Sequence, residues 1–155
     1  MKKAIYRQTG AAHDVLEIVD APCPMPAPGE VRVRMAWSGV NPSDTKARRG
    51  LRSKHMPFPE VTPHSDGAGI IDAVGDGVDP ARVGERVWIW NAAWGRAQGT
   101  AADYIVLPQA QAVSLPDAVA MDAGACLGIP AMTAAHAVLG YGGVRGRRVL
   151  VAGGA

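Results

Sequence analysis

The chain has 155 residues, 48% of them hydrophobic and 19% charged, which is the balance of a folded globular protein rather than a disordered one. A chain of this size hides roughly 70% of its unfolded surface, so it can bury a core of its own. Its formal charge of +2 gives no ground for a nucleic-acid partner, and no apolar run is long enough to span a bilayer.

The opening MKKAIYRQTG has two lysines but no apolar stretch behind them, so a signal peptide is not expected and the cytoplasm is the default address. Cys23 and Cys126 form neither a disulfide framework nor a CxxC pair and read as small apolar fillers. Short strands are predicted around Ala4–Arg7, Leu16–Val19 and Val31–Met35, bounded by turns such as Pro26-Ala27-Pro28-Gly29. In the third, Val31, Val33 and Met35 face one way and Arg32 and Arg34 the other, the alternation of a half-buried strand. The basic run from Lys46 to His55 has two readings, an anion-attracting patch or a solvated loop. Further strands are predicted at Gly67–Val74, Arg86–Trp90 and Ala102–Leu107. To about residue 115 the pattern is that of a compact barrel or sandwich.

The character then changes. Asp117 to Leu139 is rich in Ala, Met and Leu, which predicts one or two helices with Asp117 and Asp122 as N-caps and a break near Gly128-Ile129-Pro130. The last predicted element is a buried parallel strand, Val149-Leu150-Val151, running into Gly153 and Gly154, the way a dinucleotide-binding unit opens.

Five stretches carry a resemblance. Ser38-Gly39-Val40-Asn41-Pro42-Ser43-Asp44, Pro63-His64-Ser65-Asp66-Gly67-Ala68-Gly69, Val83-Gly84-Glu85-Arg86-Val87, Gly99-Thr100-Ala101-Ala102-Asp103-Tyr104 and Gly128-Ile129-Pro130-Ala131-Met132-Thr133-Ala134 occur in the order and spacing of one family. The chain resembles the medium-chain dehydrogenase/reductase superfamily, most closely its zinc-free quinone oxidoreductase branch. The resemblance implies a mainly β fold: a GroES-like β-barrel catalytic domain over residues 1–116. Residues 117–155 then supply linking helices and the first helix and strand of an incomplete Rossmann domain. It also implies NADP(H) as cofactor, a small quinone or enone as substrate, and an active site in the cleft between the two domains. Homo-oligomers formed through the Rossmann sheet belong to the same pattern.

The branch can be argued by chemistry, since a catalytic zinc needs three protein ligands and an open position. The positions that resemble the ligand slots of zinc-using relatives hold Asn41, Ser65 and Ile129, and none supplies a ligand set. Without a metal to polarise a carbonyl, hydride addition to a conjugated acceptor demands least, because the π-system spreads the developing charge. The expected catalytic residues are Asn41, Asp44 and Ser65, with no metal. Asn41 has two readings, an amide that meets substrate or nicotinamide or a turn residue that starts a helix. Asp44 and Asp66 read as supporting or capping carboxylates. The resemblance places Asn41, Thr133, Gly153 and Gly154 at the cofactor, with Thr133 alternatively bonding its own helix backbone. Lys46 stands where the family often has a tyrosine, which opens the pocket or favours a polar substrate. Trp88, Trp90 and Trp94 either wall the cleft or fill the core.

The glycine motif stops at Ala155, before the helix that would hold a pyrophosphate, so the chain alone is expected to bind NADPH weakly and to be inactive. Two alternatives stand beside the oxidoreductase. One is a non-catalytic GroES-like module that binds a partner or self-associates through residues 117–151. The other is a zinc-dependent alcohol dehydrogenase, against which the ligand slots argue.

Overall fold

The computed structural model describes residues 1–51, 53–140 and 142–152. In chain order the elements are β1 (Lys2–Ile5), α1 (Ala12–Val15), β2 (Glu17–Asp20), β3 (Glu30–Gly39), α2 (Pro42–Arg48), β4 (Asp66–Val74), β5 (Arg86–Ile89), β6 (Tyr104–Pro108) and β7 (Ala112–Ser114). Then follow α3 (Met121–Gly124), one π turn at Leu127–Ala131, and α4 (Met132–Leu139).

Strand β3 organises the domain. Its alternation buries Val31 and Val33 completely, as the sequence predicts, and leaves Arg34 in solvent. The strand order is β6-β3-β4-β5-β7, every neighbour antiparallel. Val31, Val33, Ile71, Val87, Ile89 and Leu107 fill the main core. On β4, a Cβ at Gly69 would stand 2.2 Å from the Arg34 carbonyl oxygen, so only glycine lets the two strands pair this closely. Arg32 on β3 ties three strands: its Nε and Nη2 donate to the two Asp72 oxygens of β4 at 2.9 and 3.1 Å, and its guanidinium lies 5.5 Å from the Tyr104 ring of β6.

Strands β1 and β2 pair separately and reach the larger sheet through single bridges, Lys3 to Ala102 and Tyr6 to Val61. Ala68, Leu115 and Ala125 form another apolar cluster, with Trp88, Val119 and Leu127 packed on it, and this seats α3 and the π turn against the sheet. Those contacts carry Gly128 and Ile129 back to the start of β4.

The mainly β, GroES-like fold is as expected, with four corrections. The sheet does not close into a barrel: β6 and β7 are its edges, β7 has only three residues, and the β1–β2 pair forms a separate sheet. Val149, Leu150 and Val151 are not a buried strand but irregular chain, 53%, 95% and 69% exposed, because a parallel strand needs neighbours and none is present among the described residues. The N-cap of α3 is Ala120; Asp122 sits inside its first turn and Asp117 in the preceding turn. Both cysteines are exposed rather than core fillers. The predicted break is where expected, with Gly128 at φ −61° and ψ −106° interrupting the helical backbone.

Candidate active site

The start of α2, the loop into β4, the loop after β5 and the π turn meet around a cleft of about 480 Å³. Its walls include Asp44, His64, Ser65, Trp94, Arg96 and Ile129. Arg96 is half-buried, donates to the Gln111 amide oxygen, and has its proton affinity lowered by burial. A separate cavity of about 430 Å³ lies near Met1, Pro24 and Tyr104; it shares Arg96 with the cleft and includes none of the predicted site residues.

Asp66 is the hub. It is completely buried, and its Oδ2 accepts from Asn41 Nδ2 at 2.8 Å and from the Ile129 backbone N–H at 2.7 Å. Its Oδ1 is buried with no hydrogen-bond partner among the described residues. No cation pairs with it among the described residues, so desolvation raises its pKa, against the downward pull of the two donated bonds. Gly128 stands so near that a Cβ there would lie 2.1 Å from Asp66 Oδ1. One carboxyl thus ties together two of the three slots that lack metal ligands.

Asn41 is 5% exposed and precedes α2 as its N-cap. One of its amide hydrogens is committed to Asp66, so it holds the site together from behind the cleft wall. Asp44 reaches back to accept the Asn41 backbone N–H at 2.7 Å, the capping role read from sequence, and burial raises its pKa. Ser65 lines the cleft, and its carbonyl accepts the Ala92 N–H at 2.9 Å. Thr133 is exposed, in a small cavity of about 140 Å³ with Gly128, Met132 and Trp90; Asn91 and Ile129 are common to this cavity and the cleft. Gly153 and Gly154 lie outside the described residues. Asn41, Asp44 and Ser65 therefore converge, and Thr133 is adjacent. Of the tryptophans, Trp94 walls the cleft and is 78% exposed, Trp88 packs under α3, and Trp90 donates to the Ala110 carbonyl. In the basic run, Arg48 is buried and donates to the Gly10 carbonyl, while Lys46 and Arg49 are solvated. Among the described residues no three His, Cys, Asp or Glu side chains cluster to hold a metal ion.

Sequence reasoning passed over a polar chain behind the cleft. Ser38 Oγ lies 2.8 Å from His64 Nδ1 and 2.9 Å from Thr100 Oγ1, and Thr100 Oγ1 donates to the Asp66 carbonyl at 2.6 Å. His64 has φ +79°, uncommon for a residue with a Cβ, and burial lowers its pKa. The Thr100 N–H fixes that backbone by donating to the His64 carbonyl at 2.9 Å. The sequence held no signal for this: His64 and Thr100 are 36 positions apart (100 − 64), and positive φ is not legible in a histidine.

The alcohol dehydrogenase GroES-like domain family matches residues 27–117. The quinone oxidoreductase of Rattus norvegicus is 36% identical over 135 residues, 86% of this chain and 40% of that protein. The synaptic vesicle membrane protein VAT-1 homolog of the same species is 35% identical over 129 residues, 83% of this chain and 30% of that protein. A mycobacterial protein solved in complex with NADPH superposes with a TM-score of 0.77 at 28% identity, over 91% of this chain and 42% of that one. The chain thus spans between about a third and two fifths of the length of these curated relatives. An antiparallel GroES-like sheet with a cleft beside the start of β4 and the loop after β5 defines the class as an alcohol dehydrogenase-like GroES domain. The chain belongs to the alcohol dehydrogenase GroES-like domain family of the medium-chain dehydrogenase/reductase superfamily, and the relatives it is similar to include quinone oxidoreductases.

Proposed function

We propose that this chain supplies the catalytic domain, residues 1–116, and the linking segment, from residue 117, of an enzyme that transfers hydride from NADPH to a quinone or other α,β-unsaturated carbonyl without a metal. The observation that carries this reading is the Asp66 hub: an amide and a backbone N–H occupy, through one carboxyl, two of the positions a catalytic zinc would need.

The residues present fit one face of a flat ring at the small cavity lined by Gly128, Ile129, Met132 and Thr133, where Ile129 and Met132 are apolar and Thr133 is a polar neighbour. The nicotinamide, when bound, supplies the hydride. Asn41 and Asp44 hold the start of α2, and Ser65 and Arg96 offer donors to an oxygen that gains negative charge as its conjugated carbon is reduced. The anionic oxygen left by hydride addition then takes a proton from water. Lys46, where the family often has a tyrosine, is exposed on α2. The preference for NADP over NAD rests on the branch, and no nucleic-acid or membrane partner enters the reading. Among the described residues no helix is long and apolar enough to cross a membrane.

The test uses the complete enzyme. NADPH-dependent reduction of 1,4-naphthoquinone, undiminished by chelator and without stoichiometric zinc, is the expected result. One tightly bound zinc per chain with oxidation of simple alcohols would overturn the reading. Asn41→Ala and Thr133→Ala are each expected to lower turnover, and unchanged kinetics for both would remove them from the site.

A further inference from the structure

The hydrogen-bond chain behind the cleft has a direction, and it can be read from its fixed end. The Asp66 carbonyl is an acceptor only, so the Thr100 hydroxyl hydrogen must point to it. Thr100 is completely buried and has no other hydrogen to give, so Ser38 must be the donor between the two hydroxyls. The Ser38 hydrogen is then spent, which makes His64 Nδ1 the donor to Ser38 Oγ. In a neutral imidazole the other nitrogen, Nε2, is then a bare acceptor.

Nε2 makes no hydrogen bond among the described residues, and it is not one of the buried unpartnered side-chain atoms, which are Ser43 Oγ and Asp66 Oδ1. It is therefore open to the space His64 lines: the cleft and a neighbouring cavity of about 280 Å³, between which His64, Pro63 and Asp44 form the shared wall. No carboxylate lies within ion-pair distance of the ring among the described residues. The relay ends on a peptide carbonyl that can neither give nor take a proton, so it fixes the tautomer and does not conduct. The positive φ of His64 is the local strain that this arrangement sustains.

We propose that His64 is a specificity-determining residue of the cleft, a fixed acceptor that takes a hydrogen bond from a hydroxyl on the substrate, so that hydroxylated quinones and hydroxyenones are favoured over analogues carrying acceptors alone. The proposal rests on the hydride-transfer reading for the carbonyl part of that substrate; the donor preference itself is a property of binding.

Two probes that share the ring and its two oxygens separate the donor, hydroquinone, kept under nitrogen, and its dimethyl ether, 1,4-dimethoxybenzene, in which methyl groups replace the hydroxyl hydrogens. Long-range proton–nitrogen correlation spectra of the chain are expected to show His64 Nδ1 protonated and Nε2 bare. Hydroquinone is expected to move the Nε2 resonance and to bind about fivefold tighter than the ether, the size of one net hydrogen bond. Ser38→Ala frees the tautomer and weakens the preference. His64→Gly, which suits the backbone angle, abolishes it; His64→Asn, which tolerates the same angle and keeps a carbonyl acceptor, restores part of it. A protonated Nε2 in the unaltered chain, equal binding of the two probes, or a preference that survives His64→Gly overturns the proposal. Because no NADPH is present, these outcomes separate from those of the hydride-transfer reading: naphthoquinone reduction with equal probe binding sinks this proposal alone, and donor-selective binding in an enzyme that reduces no quinone sinks the other.

Discussion

Ile71 and Leu150 are aliphatic residues of the same size, one 0% exposed in the middle of β4 and the other 95% exposed in the chain after α4. Around Ile71 the alternating strands deliver Val31, Val33, Val87, Ile89 and Leu107 from three other strands. Around Leu150 the sequence is just as apolar, Val149 to Val151, yet no sheet is there to receive it among the described residues. Hydrophobic composition alone makes no core; the neighbours must come from elsewhere in the chain at matching register.

The strongest way to break this comparison is at its buried side. Ile71→Ala removes a fully buried side chain from a packed sheet and is expected to cost about 3–4 kcal/mol, read from the urea midpoint at unchanged slope. A loss under about 1 kcal/mol would mean the main core is loosely packed.

The next largest effect lies where the two regions join. Gly128→Ala would drive a Cβ to 2.1 Å from Asp66 Oδ1 and 2.5 Å from Asp66 Cγ, and a buried carboxyl held by two hydrogen bonds has little room to retreat. A destabilisation of about 2 kcal/mol is expected. Turnover of the complete enzyme should fall with it, since the same shift moves Asn41 and Ile129. Thermal unfolding unchanged by the substitution would show that the π turn is not seated on Asp66.

Asp66 also ties the join to pH. Its folded pKa is raised above the ordinary 3.8 by desolvation, so the folded state holds this proton more tightly than the unfolded chain does. The stability it contributes is complete below pH 3.8 and is lost as pH rises through the folded value. Glu60 behaves oppositely. Its hydrogen bond from Lys3, with Arg7 adding to it, lowers its pKa below 4.5, and its stabilisation is present above that value and lost as pH falls. The stability of Asp66→Asn relative to the unaltered chain should therefore rise between acid and neutral pH. A difference that is flat from pH 3 to pH 7 would show that Asp66 titrates as an ordinary exposed aspartate.

How far the sequence could be read follows the same division. The strands were legible because a period of two survives in β3 as Val31-Arg32-Val33-Arg34, and because Gly-Asp-Gly and Val-Gly-Glu punctuate β4 and β5. The resemblance pointed to Asn41, Asp44 and Ser65 together, of which Asp44 and Ser65 line the cleft while Asn41 lies behind its wall, and the Asp44 cap was legible from local spacing. Asp66 as the hub was not legible, because its partners Asn41 and Ile129 come from 25 and 63 positions away. The open sheet edge was hidden for a related reason: closure depends on the lengths of β6 and β7, five and three residues, which periodicity does not fix. A buried strand was expected at Val149–Val151 because an apolar run is half of what a strand requires; the other half is a partner at its side.

The smallest expected effect sharpens the comparison most. Leu150→Ala and Met132→Ala, at positions 95% and 44% exposed, should each leave stability within about 0.5 kcal/mol of the unaltered chain, because no packed neighbour is lost. The same measurement at two protein concentrations makes the test sharper. If either substitution cost more than that, and the cost grew with concentration, the apolar positions of α4 and the following segment would be covered by a second copy of the chain, because only an association step depends on concentration. A cost independent of concentration would instead place Leu150 or Met132 against this chain's own sheet. The contrast with Ile71 would then be one of degree, and the tract after Gly128 would count as part of the domain it leaves.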